Sequence, residues 1–152
     1  MPYRLLYILM AATLLSACVD ERERHVVSVM DTADSLMERA DRADSALAIL
    51  NAVASEGEAW STAVRMRHAM LTAKAQNKAY VDFTTDSVMR QVAEWYDAHG
   101  TPNEQMTAHY LLGCTYRDMG DAPIALASYY EAVEKADTLA ADCDFYMLMG
   151  VW

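Results

Sequence analysis

The feature that most constrains the fold is the segment 101–136, which carries signals for two helices and the turn between them. Thr101-Pro102-Asn103-Glu104 is a capping box, with a hydroxyl that accepts from first-turn amides, a proline at the first helical position and a glutamate that reaches back. Gly120-Asp121 predicts a turn followed by a new N-cap. The segment therefore predicts an antiparallel hairpin, with a helix to about Met119 and a second helix after Asp121. The predicted buried face of that second helix is Ala125, Tyr129, Ala132, Val133 and Ala136.

The composition extends this prediction to the whole chain. The 152 residues include only five glycines and three prolines. Alanine, methionine and leucine are abundant, and runs of valine and isoleucine are missing, which favours helix over strand. We therefore expect an all-α chain long enough to bury a core.

Upstream, apolar residues recur at helical spacing and predict two further hairpins. In the first hairpin, Asp44 is the expected N-cap of the second helix and Gly57 its expected end. In the second hairpin, Gly100 ends the fourth helix after a loop over 78–85. The predicted faces of these four helices are, in order, Val26, Val29, Met30, Ala33, Leu36, Met37 and Ala40; Ala43, Ala46, Leu47, Leu50, Val53 and Ala54; Ala59, Ala63, Met66, Met70 and Ala73; and Val88, Val92, Trp95, Tyr96 and His99.

Successive helix hairpins direct attention to repeats of about 34 residues. In a frame that begins at Met106, residues 106–139 resemble a tetratricopeptide repeat (TPR). Glycine or alanine occurs where two helices cross closely, and tyrosine fills the space between successive helices. His109 takes the place that usually holds tryptophan, and Asp137 takes that of the terminal proline. The matching repeat-packing residues are Leu112, Gly113, Tyr116, Gly120, Ala125, Tyr129 and Ala132.

The resemblance implies an α-solenoid of antiparallel, TPR-like helix hairpins. The sequence DFYMLMG, which ends at Gly150, repeats HYLLG around Gly113, so 140–152 is expected to start a further TPR helix, incomplete at Trp152. Residues 26–105 are interpreted as degenerate TPR-like hairpins. An unrelated helical bundle is the alternative for that part.

The N-terminus predicts an export signal. MPYR is followed by 13 mostly apolar residues, which as a helix would rise about 20 Å, short of a bilayer core of about 30 Å. A basic start, an apolar run and small residues are typical of a secretory signal peptide. Leu15-Ser16-Ala17-Cys18 resembles the lipobox of bacterial lipoproteins. An ordinary signal peptide or an N-terminal helix is the alternative.

The lipobox resemblance implies that residues 1–17 are cleaved and that Cys18 carries the lipid, with acyl chains such as palmitate. Residues 18–25 then form the lipidated cysteine and a charged spacer. Because two or three acyl chains give firm attachment, we expect a protein tethered to a membrane of the bacterial cell envelope. Of the two membranes, the outer membrane is favoured over the inner.

The charge argues against nucleic acid as a partner. The formal net charge is −10, and no basic cluster with interleaved aromatic residues is found in the sequence. Such a surface repels a phosphate backbone.

The sequence offers no pattern typical of catalysis or of metal binding. The four histidines form no HExxH and no i,i+4 pair, and glycine-rich phosphate loops and serine-nucleophile motifs are missing. Five of the eleven methionines fall on core-type faces, which favours a role in packing over metal handling: Met30, Met37, Met66, Met70 and Met106. Cys114 and Cys143 are expected to be buried free thiols, with a disulfide as the alternative. We therefore expect a protein without enzymatic activity, metal or cofactor.

The TPR resemblance implies a binding surface along the first helix of each hairpin, which lines the concave side. Tyr110 and Arg117 are the expected anchors, because these residue types are enriched in interface hot spots. The full set of predicted partner-binding residues is Thr107, Tyr110, Cys114, Arg117 and Asp118.

These observations predict a membrane-anchored scaffold that binds another protein or peptide and makes no covalent bonds. The alternative is the N-terminal sensor region of a longer TPR signalling or regulatory protein. An outer-membrane glycan-binding lipoprotein would be expected to carry long aromatic-rich insertions, which are not found in the sequence.

Overall fold

The computed structural model describes residues 23–39 and 41–136, and all regular structure within them is helical. The prediction of an all-α fold is confirmed for this part of the chain. The predicted signal peptide, the predicted lipidation site Cys18, Ala40, Cys143, residues 137–139 of the predicted repeat and the helix predicted from 140 lie outside the described residues. The helices are α1 (described over 23–37), α2 (Ala43–Val53), a 3-10 segment (Ala54–Ala59), α3 (Thr62–Lys78), α4 (Ser87–His99), α5 (Pro102–Asp118) and α6 (Ala122–Lys135).

The hairpin predicted from 101–136 is present as α5 and α6. The Thr101 hydroxyl accepts from the Glu104 amide, and the Glu104 carboxylate accepts from the Thr101 amide at 2.8 Å, so both halves of the capping box form. Asp121 accepts from the Ile124 amide at 3.3 Å and caps α6. These side chains satisfy amides that a helix start leaves without partners.

Two predicted helix ends in the first hairpin are wrong. Arg42, with no side-chain capping bond, precedes α2, and Asp44 lies within its first turn, where a carboxylate favours the positive end of the helix dipole. Gly57 does not end α2, because α2 ends at Val53 and Gly57 lies inside the 3-10 segment.

Four predicted faces also need correction. Ala54 is exposed, because α2 ends at Val53 and the 3-10 segment begins at Ala54. Ala59 lies before the start of α3 at Thr62, and both Ala59 and Ala63, in the first turn of that helix, are exposed. Val88 is 51% exposed and His99, at the end of α4, is also exposed, whereas Met89 is buried in the core from the first turn of the helix. On α6, Val133 is 46% exposed, because this helix buries a narrow face, Ala125, Ser128 and Ala132, against α5.

The core consists of two apolar clusters that share α3. One cluster joins α1, α2 and Trp60 to Leu71 and Ala75 of α3. The other joins α4, α5 and Phe83 to Met70 and Ala73 of the same helix. Because α3 buries two different faces, it connects the first hairpin to the last.

Each helix from α2 to α6 contacts the next in sequence, and α3 also contacts α5. Asp31 and Asp34 of α1 form ion pairs with Arg67 and Lys74 of α3. The odd-numbered helices α1, α3 and α5 therefore lie side by side in sequence order.

Candidate partner-binding face

The side-by-side odd-numbered helices form a continuous surface that we call the odd-helix face. Its α3 side chains bridge to both neighbouring helices. Arg67 contacts the Asp31 carboxylate at 2.6 Å, and the Lys74 ammonium donates to Asp34 at 2.9 Å. On the other side, the Arg117 guanidinium of α5 donates to the Asn77 side-chain oxygen at 3.3 Å.

Three of the five predicted partner-binding residues have accessible side chains on this face. Thr107 and Tyr110 are half-buried, and Arg117 is exposed. The Thr107 hydroxyl donates to the Asn103 carbonyl one turn earlier at 2.8 Å. Tyr110 and Arg117 lie two turns apart on α5 and both neighbour Asn77. The two predicted anchors therefore share one stretch of the surface.

Cys114 and Asp118 lie beneath this surface. Cys114 is fully buried and free, and the Tyr129 hydroxyl donates to its sulfur at 3.7 Å. Burial raises the pKa of the Cys114 thiol, so it stays protonated and unreactive at neutral pH. Asp118 keeps 9% of its side chain exposed, accepting from Arg117 at 2.9 Å and from the Phe83 amide at 3.2 Å. Both residues support the face from within, and neither is placed to touch a partner.

The two tyrosines around Cys114 join α5 to α6. The rings of Tyr110 and Tyr129 lie 5.8 Å apart at an angle of 41°. Burial, and to a smaller extent the nearby Cys114, raise the pKa of Tyr110 to about 12, so its hydroxyl remains a neutral hydrogen-bonding group. An aromatic side chain with a polar tip, half-buried beside an arginine, is well suited to anchor a bound segment.

The predicted repeat-packing residues are buried or half-buried, except Gly120, which is exposed in the turn. A Cβ added at Gly113 would lie 2.5 Å from Cδ1 of Tyr129, so only glycine allows this approach of α5 and α6. The Tyr116 hydroxyl donates to Asp86 at 2.8 Å and so connects α5 to the start of α4. Gly120 has a φ of +80° in the turn. Of the others, Ala125 and Ala132 are buried, and Leu112 and Tyr129 are half-buried.

A polar cluster that the sequence did not predict joins three helices on the other side of α5. His109 Nε2 lies 3.1 Å from the Asp97 carboxylate of α4, and the Lys135 ammonium of α6 donates to the same carboxylate at 2.7 Å. Burial would raise the pKa of Asp97, but the hydrogen bonds from Lys135 and His109 prevail and lower it. The cluster keeps Asp97 ionised and holds α4, α5 and α6 together.

The α3 side chains of the odd-helix face were also missed. A spacing of 40 residues could have identified them. Helices α3 and α5 are both 17 residues long, and Arg67, Lys74 and Asn77 lie 40 residues before Thr107, Cys114 and Arg117. A search at about 34 residues does not detect this correspondence, because the α3–α4 connection is longer than the α5–α6 turn.

Within 23–39 and 41–136, no group of three or more histidine, cysteine or acidic side chains could hold a metal ion. In the same part of the chain, no helix has the length and hydropathy needed to cross a membrane. No protein-family model, curated protein or solved structure matches this chain.

Proposed function

We propose that this chain is a membrane-anchored, non-enzymatic TPR lipoprotein that serves as a protein–protein interaction scaffold in the bacterial cell envelope. The observation that carries the proposal is the set of bridges from α3 to both α1 and α5, made by Arg67, Lys74 and Asn77. These bridges make one surface out of helices from three hairpins, as expected of a solenoid that binds along one side.

The correspondence between α3 and α5 supports the repeat interpretation of 26–105. Ala73 lies 40 residues before Gly113, and both are small, buried members of the helix that begins their hairpin. The five residues of α3 that correspond to the partner-binding positions predicted from the sequence of α5 are Arg67, Met70, Lys74, Asn77 and Lys78. Four of these are polar or charged, so the proposed surface continues from α5 onto α3.

The membrane part of the proposal is supported by the lipobox-like sequence that ends at Cys18. In the described structure, Glu23 lies at the start of α1 and its carboxylate accepts from the Ser61 amide. A tether at Cys18 would therefore join the folded part beside the N-terminal ends of α1 and α3.

Site-specific photocrosslinking tests the scaffold. A benzophenone amino acid replaces Tyr110 on the odd-helix face or, as a matched control, Glu94, which is exposed on α4. In cells, we expect a discrete higher-mass adduct from position 110 and none from position 94, and we expect Arg117→Ala to reduce it. Equal labelling at both positions, or no adduct from position 110, would contradict a binding face on the odd-numbered helices.

A further inference from the structure

The turn after α3 carries a tyrosine where the backbone favours glycine. Tyr80 has a φ of +55° and is the one non-glycine residue with positive φ in the described chain. The Val81 amide donates to the Gln76 carbonyl at 3.0 Å, and the Tyr80 amide donates to Asn77 at 3.3 Å. This is a Schellman motif with Tyr80 in the left-handed position.

The turn after α5 contains the same motif with glycine. Gly120 has a φ of +80°, and the amides of Gly120 and Asp121 donate to the carbonyls of Arg117 and Tyr116. Tyr80 and Gly120 are 40 residues apart and occupy equivalent places. A non-glycine residue is strained there, and backbone strain of this kind clusters at functional sites, where another interaction compensates for it.

Packing within the described chain does not supply that compensation. Tyr80 is 83% exposed, and its neighbour Val81 is also exposed. Phe83, by contrast, is buried and its amide binds Asp118, so the chain is fixed on both sides of the exposed pair. The loop therefore presents an aromatic side chain to solvent from a backbone that is fixed on both sides.

Further apolar side chains are exposed at the same end of the molecule. The last turns of α3 and α5 meet through Asn77 and Arg117, so both turns lie at that end. We call the exposed residues there the turn-end patch: Tyr80, Val81, Val88, Met119 and Ile124. A concentration of exposed apolar residues at one end marks an interaction surface better than single scattered ones.

We propose that the turn-end patch is a second docking surface, for a protein segment that presents an apolar or aromatic side chain next to a lysine or arginine. The requirement for a lysine or arginine in the bound segment follows from the negative charge of this protein near the patch. Asp82 is exposed between Val81 and the buried Phe83, forms no ion pair within the described residues, and belongs to a chain of net charge −10. A second copy of this chain would bring two such carboxylates and two acidic molecules together, which is unfavourable.

The position of the patch favours protein over lipid. Glu23 and Ser61 meet at the opposite end of α3, and 17 helical residues rise about 25 Å. A chain tethered at Cys18 therefore has the patch on the side away from the tether. This step rests on the proposed anchor, whereas the strain at Tyr80 does not.

The test is a selection from a random peptide phage library on the full chain in detergent micelles, followed by fluorescence anisotropy with the enriched peptides. We expect an apolar residue beside lysine or arginine in these peptides, and affinity at least about tenfold weaker for Tyr80→Gly and Tyr80→Ala. Asp82→Asn should weaken binding less and reduce its salt dependence. Tyr130→Ala removes another exposed tyrosine, on α6, and should leave affinity unchanged.

Thermal unfolding separates the two Tyr80 variants. Tyr80→Gly relieves the strained φ and should raise the melting temperature by a few degrees, whereas Tyr80→Ala keeps an L-residue in the left-handed region and should not. The stabilised variant would then bind less well, which a damaged fold cannot explain.

Several outcomes would overturn the proposal. They are no enriched peptide, peptides without a cation, or equal affinity for wild type and Tyr80→Ala. Self-association, or sedimentation with phosphatidylcholine vesicles, that is lost in Tyr80→Ala would assign the patch to a second copy or to lipid instead. The photocrosslinking at Tyr110 reports on the odd-helix face, so the two proposals can fail separately.

Discussion

The Tyr129 ring of α6 lies directly over the backbone of Gly113 in α5, so closely that a Cβ at Gly113 would overlap it. The Tyr129 hydroxyl reaches past this point to the sulfur of Cys114. One glycine therefore sets the distance between the two helices of this hairpin and the position of the Tyr129 ring against Tyr110.

Replacing Gly113 by alanine should destabilise the protein. The added methyl group must displace a ring that is held by Tyr110 and Cys114, and we expect a loss of about 1–3 kcal/mol in the free energy of unfolding. Denaturant unfolding measures it. Gly57→Ala is the control, because its Cβ would meet Trp60 at an ordinary 3.6 Å. If the overlap is the cause, adding Tyr129→Ala should remove much of the Gly113→Ala cost, and simple additivity would contradict this explanation.

Gly120→Ala should destabilise the protein for a different reason. No atom lies within 4 Å of the Cβ that would be added, but φ is +80°, where an L-residue is strained. We expect a loss of about 1–2 kcal/mol with no change in packing, measured by chemical denaturation. Gly120→Asn should cost less than alanine, because asparagine tolerates the left-handed region. Equal losses for alanine and asparagine would argue against a conformational origin.

The contribution of Asp97 to the stability of the folded protein should depend on pH. Its pKa is lowered in the folded state, so its ion pair stabilises the fold above the unfolded pKa of about 4 and is lost as pH falls through the lower folded value. Wild type should therefore exceed Asp97→Asn in melting temperature at pH 7, and the gap should close in strong acid.

Two further variants identify the partners of Asp97. Lys135→Met removes the ammonium that donates to Asp97 and should also lower the melting temperature at pH 7. Glu94→Gln changes an exposed carboxylate one turn earlier on α4, and its melting temperature should equal that of wild type at every pH. A gap between wild type and Asp97→Asn that persists unchanged in acid would exclude ionisation of Asp97 as its origin.

Cys18→Ala should release the protein from membranes, because the proposed attachment depends on acyl chains at this residue. Radiolabelled palmitate and membrane fractionation measure the effect, with Cys114→Ala as the control that keeps the proposed lipid site. Equal palmitate labelling of wild type and Cys18→Ala would contradict the lipobox interpretation.

Much of the local structure could be predicted from the sequence. Thr101 and Glu104 lie three residues apart and form the predicted capping box, and Asp121 caps α6 as expected. Interactions of this kind act within one turn, so they are visible in consecutive residues. Asp44 was assigned wrongly because a carboxylate is favourable both at the N-cap and within the first turn, and the sequence pattern does not separate the two places.

The candidate site was less predictable. The TPR resemblance supplied positions on α5, but it did not distinguish exposed Arg117 from buried Cys114. Nor did it find Arg67 or Lys74, whose partners Asp31 and Asp34 lie 36 and 40 residues earlier.

The sequence by itself determined the helical class, the capped α5–α6 hairpin and the glycine turn at Gly120, because these depend on neighbouring residues and backbone conformation. Only the tertiary structure decided that α3 divides its apolar residues between two clusters, that α1, α3 and α5 lie side by side, and that Tyr80 takes the place of a glycine. The reason is physical: these outcomes depend on which distant helices meet, and the length of the α3–α4 connection shifts that register without changing any local helix signal.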